Sequence, residues 1–320
     1  MRILFHTAED RLGDALIKLP AIMAARAACP EMHLTWSTAT GNSLFARGLA
    51  PLAQPFINEI HERSGLGTHW RELWRPRWGA HFDIIVASER KLLSTLALKR
   101  IGHRRFIAPT RDFFFSDAKP GRDFAQEPVV RQTRILFEMA LQQPLTLPTE
   151  LSLPPALEAH ARDLLPPGIS YVGFAPGAGG KDKCWPLDHF VAVARTQAQA
   201  GRRVVFFLGP EEEGWYEPLR AAVPEALFPE RAVAASERGP LLAIALSRRL
   251  AAGVANDSGI GHLMAAGGQP LLVLYGRTSD HKFTPGFGQR RALRAKDFGG
   301  MTVADIPVEA VAAALEDALV

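Results

Sequence analysis

The segment ILFHTAEDRLGDALIKLPA, residues 3–21, joins an apolar, strand-like run to a stretch with helical spacing. Gly13 and Asp14 stand just beyond the junction. Open α/β sheets bind their ligands in the crevice outside the carboxyl ends of the strands, so an acid at this point is placed to act on a ligand. Asp14 could equally serve the helix alone, as a cap or as a first-turn acid that opposes the helix dipole. This segment by itself does not decide between the two roles.

Apolar runs of this kind recur along the chain and alternate with helical patterns, which is typical of parallel sheets built from βαβ units. The runs are ILFHT (3–7), MHLTW (32–36), DIIVAS (83–88), YVGFAP (171–176), RVVFFLG (203–209), LAAGVAN (250–256) and LLVLYG (271–276). With 320 residues, 47% of them apolar, the chain is longer than one compact α/β domain usually needs.

A proline-rich connector, residues 142–168, separates the first three runs from the last four and reads as a linker with one short helix. We therefore predict two doubly wound, Rossmann-like domains, 1–153 and 154–320, that face each other across a cleft lined by strand ends. Whether the last helix packs back on the first domain is left open.

The amino terminus, MRILFHTAED, has too short an apolar run for a signal peptide, and no later segment is apolar enough to span a membrane. Two cysteines, Cys29 and Cys184, are too few for a disulfide framework or a zinc site. These features predict a cytoplasmic protein.

Positive charge is concentrated in one part of the sequence. Residues 62–134 contain 15 Lys and Arg against 8 Asp and Glu, a net +7, whereas the whole chain has +4. The arginine fork suits phosphate and carboxylate partners, so this basic segment predicts an anionic ligand, although a solvated basic face is the simpler alternative. No nucleic-acid-binding signature is present, and we expect no nucleic-acid partner. The main contributors are Arg63, Arg71, Arg75, Arg77, Arg104, Arg105, Arg111 and Arg122.

Two generic phosphate motifs fail on inspection. In VGFAPGAGGKDK, residues 172–183, Ala175 and Asp182 stand where a P-loop needs glycine and Ser or Thr, and the dinucleotide fingerprint lacks its third glycine. A less generic site remains. Ser258 and Gly259 precede a helix whose free N–H groups suit an anion, and Lys181 and Lys183 add positive charge. Helix capping and solvated loop lysines are the structural alternatives.

Four blocks in order resemble glycosyltransferase family 9, the ADP-heptose:lipopolysaccharide heptosyltransferases. They are RLGDALIKLPA (11–21), APGAGGKDKCWPLDHF (175–190), LGPEEE (208–213) and NDSGIGHLMAAGGQPLLVLYGRTSD (256–280). The resemblance implies a GT-B architecture with an N-terminal acceptor domain and a C-terminal donor domain. It also implies ADP-heptose as donor, an anionic lipopolysaccharide core as acceptor and a cytoplasmic location, with peripheral contact at the inner membrane face left open.

Matched position by position, the resemblance places the catalytic base on Asp14 and a donor-phosphate lysine on Lys183. The acid that approaches the nucleoside falls on Glu212, with Glu211 and Glu213 as alternative registers. The donor set that follows is Lys183, Glu212, Asp257, Ser258, Gly259 and His262, with Lys181 expected to substitute for threonines that some family members carry. The charge excess of the basic segment, not the resemblance, supplies the expected acceptor contacts, which are Arg63, Arg71, Arg104 and Arg105. Two departures stand out: Asp10 is a second acid of unknown role, and glycines replace threonines before Lys183.

The chemistry follows from these residue types. An acceptor hydroxyl attacks the anomeric carbon as Asp14 takes its proton, while lysine and helix N–H groups stabilise the leaving diphosphate. One displacement inverts the anomeric centre, and neither a metal nor a cofactor is expected. A nucleotide-sugar epimerase or a catalytically idle sugar-nucleotide-binding protein is the alternative on the same scaffold.

Overall fold

The computed structural model describes residues 1–74, 78–79, 81–121, 123–288 and 290–320. These residues form two compact units. The first contains Met1–Pro148 together with Lys282–Thr284, and the second contains Thr149–His281 together with Pro285–Val320.

A five-stranded parallel sheet forms the centre of the first unit, in the order β3-β2-β1-β4-β5. Its strands are β1 (Arg2–Thr7), β2 (His33–Thr38), β3 (Glu59–His61), β4 (His81–Ala87) and β5 (Gly102–Ile107). The helices of this unit are α1 (Leu12–Ala28), α2 (Ala50–Ala53), α3 (Leu92–Lys99) and α4 (Val129–Leu141).

The second unit has its own five-stranded parallel sheet, in the order β10-β9-β8-β6-β7. Its strands are β6 (Tyr171–Ala175), β7 (Arg203–Phe206), β8 (Ala252–Asn256), β9 (Leu271–Tyr275) and β10 (Arg290–Arg294). The helices are α5 (Pro155–Leu164), α6 (Leu187–Gln199), α7 (Tyr216–Ala222), α8 (Pro240–Ser247), α9 (Gly259–Ala266) and α10 (Val308–Leu319). The last helix, α10, packs on α6, β8 and β9 of this same unit.

All seven apolar runs of the sequence contain strands, so that prediction is confirmed. Three further strands, β3, β5 and β10, were not predicted from the sequence, and each lies at the edge of its sheet. Central parallel strands are buried on both faces and read as continuous apolar runs, whereas edge strands tolerate charged residues. The sequences EIH, GHRRFI and RRALR carry that edge character.

The connector belongs mainly to the second unit. We expected the boundary near residue 153, and the contacts divide the chain between Pro148 and Thr149. Arg248, just after α8, accounts for this position because its guanidinium donates to the Leu151 carbonyl and pairs with Glu158 on α5. The connector beyond residue 148 is therefore tied to the end of α8, in the second unit.

The chain crosses between the units more than once, because Lys282–Thr284 belong to the first unit. The Lys282 carbonyl accepts a hydrogen bond of 3.1 Å from the Val129 N–H, at the start of α4. A helix start leaves its first N–H groups without intrahelical partners, so a distant segment of the chain satisfies one of them here. No helix within the described ranges has the length and apolar character needed to cross a bilayer.

Each sheet has a switch point, where the chain reverses the direction in which it adds strands. In the first unit the switch lies between β1 and β4, and in the second between β6 and β8. Loops at the carboxyl ends of these strand pairs diverge and leave a crevice, which is where open α/β sheets bind ligands. A ligand site is therefore expected at the loops after β1, β4, β6 and β8.

Candidate active site

Asp14 lies in the first turn of α1, directly after the loop that leaves β1. Its side chain is half-buried and has neither a hydrogen bond nor an ion pair within the described part of the chain. Arg11, not Asp14, occupies the N-cap position, so capping does not account for this acid. Burial raises the pKa of Asp14 above its ordinary value, which makes the carboxylate a better proton acceptor than an exposed one.

Asp10, the second acid of the loop, is only 1% exposed and has several partners. Its Oδ1 lies 2.6 Å from the Lys18 ammonium, and its Oδ2 accepts hydrogen bonds from Trp36 Nε1 at 2.7 Å and Ser43 Oγ at 3.0 Å. Asp10 therefore fastens the loop after β1 to β2 and to α1.

His6 and Glu89 form a buried pair that sequence reasoning missed. His6 Nε2 on β1 lies 3.7 Å from Glu89 Oε1 in the loop after β4, and His6 Nδ1 lies 3.2 Å from Ser37 Oγ. Burial, followed by the Lys91 charge, lowers the pKa of His6 to about 3, so the imidazole is neutral at physiological pH. A histidine inside an otherwise apolar strand was the one available signal.

In the second unit, Asn256 at the end of β8 organises the loop after β6. Its Nδ2 donates to the Pro176 carbonyl at 2.6 Å, and its Oδ1 accepts from the Trp185 N–H at 3.0 Å. Both ends of the intervening loop are thus tied to one buried side chain. The 3₁₀ turn Lys181–Lys183 lies between these ends, and both of its lysine side chains are exposed.

Glu212 is the inward-facing member of the three consecutive acids after β7. It is buried, whereas Glu211 and Glu213 are exposed. Its carboxylate lies so close to Gly177 that a Cβ there would come within 2.3 Å of Glu212 Cδ. Burial raises the pKa of Glu212. A glycine in the loop after β6 therefore makes room for this carboxylate beside the switch-point crevice.

The loop after β8 leads into α9, where Ser258 is the N-cap and accepts a hydrogen bond of 3.1 Å from the Gly261 N–H. Asp257 precedes it, and Gly259 is the first residue of the helix. His262 lines a small pocket whose walls also include Ser258 and Tyr275. Its buried Nδ1 lacks a hydrogen-bond partner among the described residues. Burial lowers the pKa of His262 to about 4.

The four arginines that we expected to contact the acceptor do not share one location. Arg63 is exposed in the loop directly after β3, and its N–H donates to Thr38 Oγ1 at the end of β2. Arg71 is exposed on a 3₁₀ turn. Arg104 and Arg105 lie within β5, where successive side chains point to opposite faces of a sheet. Arg104 pairs with Asp83, whose carboxylate also accepts a hydrogen bond from the N–H of residue 2, the first residue of β1. Arg104 therefore lies toward the amino ends of the strands.

Three other members of the basic segment, Arg75, Arg77 and Arg122, lie outside the described residues. Within the described residues, no group of three or more His, Cys, Asp or Glu side chains is arranged to hold a metal ion.

Lysines, a helix start and a buried acid at one switch point suit a phosphorylated nucleoside ligand, as in the nucleotide-binding class of doubly wound α/β proteins. The model of glycosyltransferase family 9 (heptosyltransferase) matches residues 70–299, which is more than half of the chain. The chain belongs to glycosyltransferase family 9, and the protein is a glycosyltransferase.

The chain is similar in sequence to known heptosyltransferases. Lipopolysaccharide heptosyltransferase 1 of Pseudomonas aeruginosa is 26% identical over 93% of this chain and 84% of that protein. Lipooligosaccharide heptosyltransferase 2 of Haemophilus influenzae is 36% identical, over 36% of this chain and only 33% of that protein.

Solved structures of the family share the fold. A family 9 glycosyltransferase from Veillonella parvula has a TM-score of 0.74 at 20% identity, covering 99% of this chain and 97% of that chain. The E. coli heptosyltransferase WaaC with ADP has a TM-score of 0.69 at 21% identity, covering 99% and 100%. The predicted GT-B fold is thereby confirmed.

Proposed function

We propose that this glycosyltransferase transfers a heptose from ADP-heptose to an anionic lipopolysaccharide core, with inversion at the anomeric carbon and with Asp14 as general base. The observation that carries the proposal is the state of Asp14. At the end of β1 its carboxylate is half-buried and unpaired within the described residues, while the neighbouring Asp10 is fully engaged. An acid left without a partner at a switch-point crevice is suited to accept a proton from a substrate.

In the proposed reaction the acceptor hydroxyl oxygen forms a bond to the anomeric carbon of the donor sugar. Its proton passes to the Asp14 carboxylate, and the bond from the anomeric carbon to the β-phosphate oxygen breaks. That bond's electron pair leaves with ADP. Because the attack and the departure occur on opposite faces of the sugar, one displacement inverts the centre, and no second carboxylate is needed as a nucleophile.

The second unit is proposed to hold the donor. Lys183 and Lys181 supply positive charge near the diphosphate, and the N-terminus of α9 adds N–H groups and the favourable end of the helix dipole. Such donors stabilise the charge that develops on the leaving group. Support comes from the names of the relatives and from the ADP complex of a solved structure with the same fold. The proposed donor contacts are Lys183, Lys181, Glu212, Asp257, Ser258, Gly259 and His262.

The first unit is proposed to hold the acceptor, with Arg63, Arg71, Arg104 and Arg105 as contacts for its anionic groups. Of these, Arg63 stands at the carboxyl edge of the sheet, the same edge as Asp14. Two tryptophans beside Arg71, Trp70 and Trp74, are 62% and 68% exposed. Exposed tryptophan next to arginine is typical of protein surfaces that meet a lipid interface, which supports peripheral membrane contact at the cytoplasmic face.

The test is an assay of the purified protein with ADP-heptose and a panel of truncated lipopolysaccharides, read by mass spectrometry for added heptose. We expect one acceptor to gain one heptose and Asp14→Asn to lower kcat by roughly 10²–10⁴, the range usual for a general base. Binding of ADP to that variant serves as the control and should be unchanged.

Other outcomes distinguish the alternatives. Conversion of the donor sugar to its epimer without an acceptor product would identify an epimerase. Thermal stabilisation by ADP with no transfer to any acceptor in the panel would identify an idle binding protein. Turnover of Asp14→Asn close to that of the wild type would remove Asp14 from the mechanism while leaving the transferase intact.

A further inference from the structure

Lys18 lies four residues after Asp14 in α1, so the two side chains emerge on the same face of the helix, one turn apart. An acid followed by a lysine at this spacing commonly forms an ion pair. The structure contains no such pair: within the described residues Asp14 has no ion-pair partner, although Lys18 is close enough to lower the pKa of its carboxyl.

The Lys18 ammonium is instead fully occupied by the loop after β1. It donates to Thr7 Oγ1 at 2.9 Å, to the Glu9 carbonyl at 3.4 Å and to Asp10 Oδ1 at 2.6 Å. A lysine ammonium has three N–H donors, so these three acceptors leave none for Asp14. Lys18 is only 6% exposed, which holds it in this arrangement.

Asp10 is itself fixed from its other side. Trp36 Nε1 and Ser43 Oγ donate to its second oxygen at 2.7 and 3.0 Å, so the carboxylate cannot turn away from Lys18 without breaking buried hydrogen bonds. Charge-assisted hydrogen bonds of this length are the strong ones in proteins.

We propose that Asp10 is a positioning residue for the transfer reaction: its fixed carboxylate retains the Lys18 ammonium and thereby keeps the Asp14 carboxylate free of an ion pair. The inference rests on the proposed role of Asp14 as base. Paired with Lys18, Asp14 would be a weaker base and would be turned along the helix, away from a substrate hydroxyl.

The charges around Asp14 agree with this role. Lys18 and Arg11 lower its pKa, whereas Asp10 and Glu9 raise it. Arg11 is itself paired with Glu9 at 2.9 Å. On α4, which packs against α1, Arg131 pairs with Glu127 and Arg134 pairs with Glu138. Arg47, directly after the 3₁₀ turn Leu44–Ala46 that also contacts α1, pairs with Glu62. Asp10 is therefore the charge whose removal most directly releases Lys18 toward Asp14.

The test measures the pKa of Asp14 by ¹³C NMR of its carboxyl carbon, in the full chain, with Asp14→Asn to assign the signal. In Asp10→Asn, Lys18 loses its ionic partner and turns to Asp14, and the negative charge of Asp10, which raises the Asp14 pKa, is lost as well. The Asp14 pKa should therefore fall by about one unit or more, and the part of the fall caused by Lys18 is the part that the double variant reverses. The acidic limb of the kcat profile should move to lower pH with it, and kcat at neutral pH should fall about tenfold.

The double variant Asp10→Asn/Lys18→Met separates positioning from simple loop anchoring. With the competing ammonium also gone, the Asp14 pKa should return to within about half a unit of wild type, and kcat should recover to within about threefold. Glu138→Gln, which removes a carboxylate from an ion pair on α4, is the matched control and should change neither quantity.

The proposal is overturned if Asp10→Asn leaves the Asp14 pKa unchanged, or if the double variant is as impaired as the single one. Should Asp10→Asn fail to fold, the double variant alone decides: retained kcat supports the proposal and lost kcat contradicts it. A fall of the Asp14 pKa in Asp10→Asn that the double variant reverses, without any shift of the kcat profile, would support the positioning by Asp10 while rejecting Asp14 as the base.

Discussion

Truncation of Asn256 should both destabilise the second unit and weaken its proposed binding of ADP. The side chain is fully buried and bridges the Pro176 carbonyl and the Trp185 N–H, at 2.6 and 3.0 Å. Asn256→Ala leaves both main-chain groups without that partner. An unsatisfied buried polar group costs about 1–3 kcal/mol, so two of them predict a loss of about 2–6 kcal/mol in the free energy of unfolding.

The effect on ADP follows from the loop between the two bonded groups, which carries Lys181 and Lys183. Once the ends of this loop are released, Lys181 and Lys183 become ordered only when ADP binds. The loss of conformational entropy on binding then weakens the affinity for ADP. We expect the Kd for ADP to rise about tenfold, which corresponds to roughly 1.4 kcal/mol. Urea unfolding gives the stability, and calorimetric titration below the unfolding range gives the affinity.

Ser247→Ala is the matched control for this prediction. Ser247 is equally buried, and its hydroxyl donates to the Ala243 carbonyl one turn earlier in α8, at 2.7 Å. Its loss should cost about 1 kcal/mol and leave ADP binding unchanged. If Asn256→Ala lost less than about 1 kcal/mol and bound ADP normally, other contacts would hold the loop, and the reasoning from these two hydrogen bonds would be wrong.

Three further predictions concern other parts of the molecule. Lys183→Ala should weaken the binding of ADP, measured by calorimetry, but not that of adenosine, because the lost interaction is with phosphate; an equal loss for both ligands would place this lysine elsewhere. The double variant Arg63→Ala/Arg71→Ala should raise the acceptor KM more than Arg104→Ala does and leave the saturated rate nearly unchanged, since contacts made equally in substrate and transition state affect capture. Equal KM values in steady-state assays at low salt would refute this ranking. Glu230→Gln should raise the unfolding temperature above pH 7 and leave it unchanged well below pH 4.5, because burial raises the pKa of Glu230 to about 7 from an ordinary 4.5. The folded chain therefore holds a proton that the unfolded chain releases, and wild-type stability falls as pH rises between these values; a pH-independent difference in unfolding temperature would contradict this cause.

The central strands could be predicted from the sequence because burial on both faces leaves a continuous apolar run, as in LLVLY of β9. The edge strand β10 could not, since RRALR has charge at three of five positions and depends on its neighbour β9 for pairing. The position of Asp14 could also be predicted from the local sequence, because the strand, the short loop and the helix that place it are contiguous in the chain.

Long-range pairings were beyond the sequence. The role of Asp10 could not be predicted because its partner Trp36 is 26 positions away in the chain. No feature of the sequence near either residue indicates that the Trp36 indole donates a hydrogen bond to Asp10. His6 and Glu89 are far apart in sequence, with β2, β3 and β4 between them. They come together only because β1 and β4 are neighbours in the sheet. Glu212 could not be told from its two neighbours because the choice depends on the register of one turn against Gly177.

The assignment of Lys282–Thr284 to the first unit has a consequence for chimaeras between family members. A simple exchange of halves at residue 148 would take the carbonyl of Lys282 from one parent and the Val129 N–H that it serves from the other. A hybrid that transplants donor specificity should therefore carry this three-residue segment from the same parent as residues 1–148. A hybrid with a single junction at residue 148 takes the segment and the start of α4 that it contacts from different parents, whereas a hybrid with three junctions takes both from the same parent.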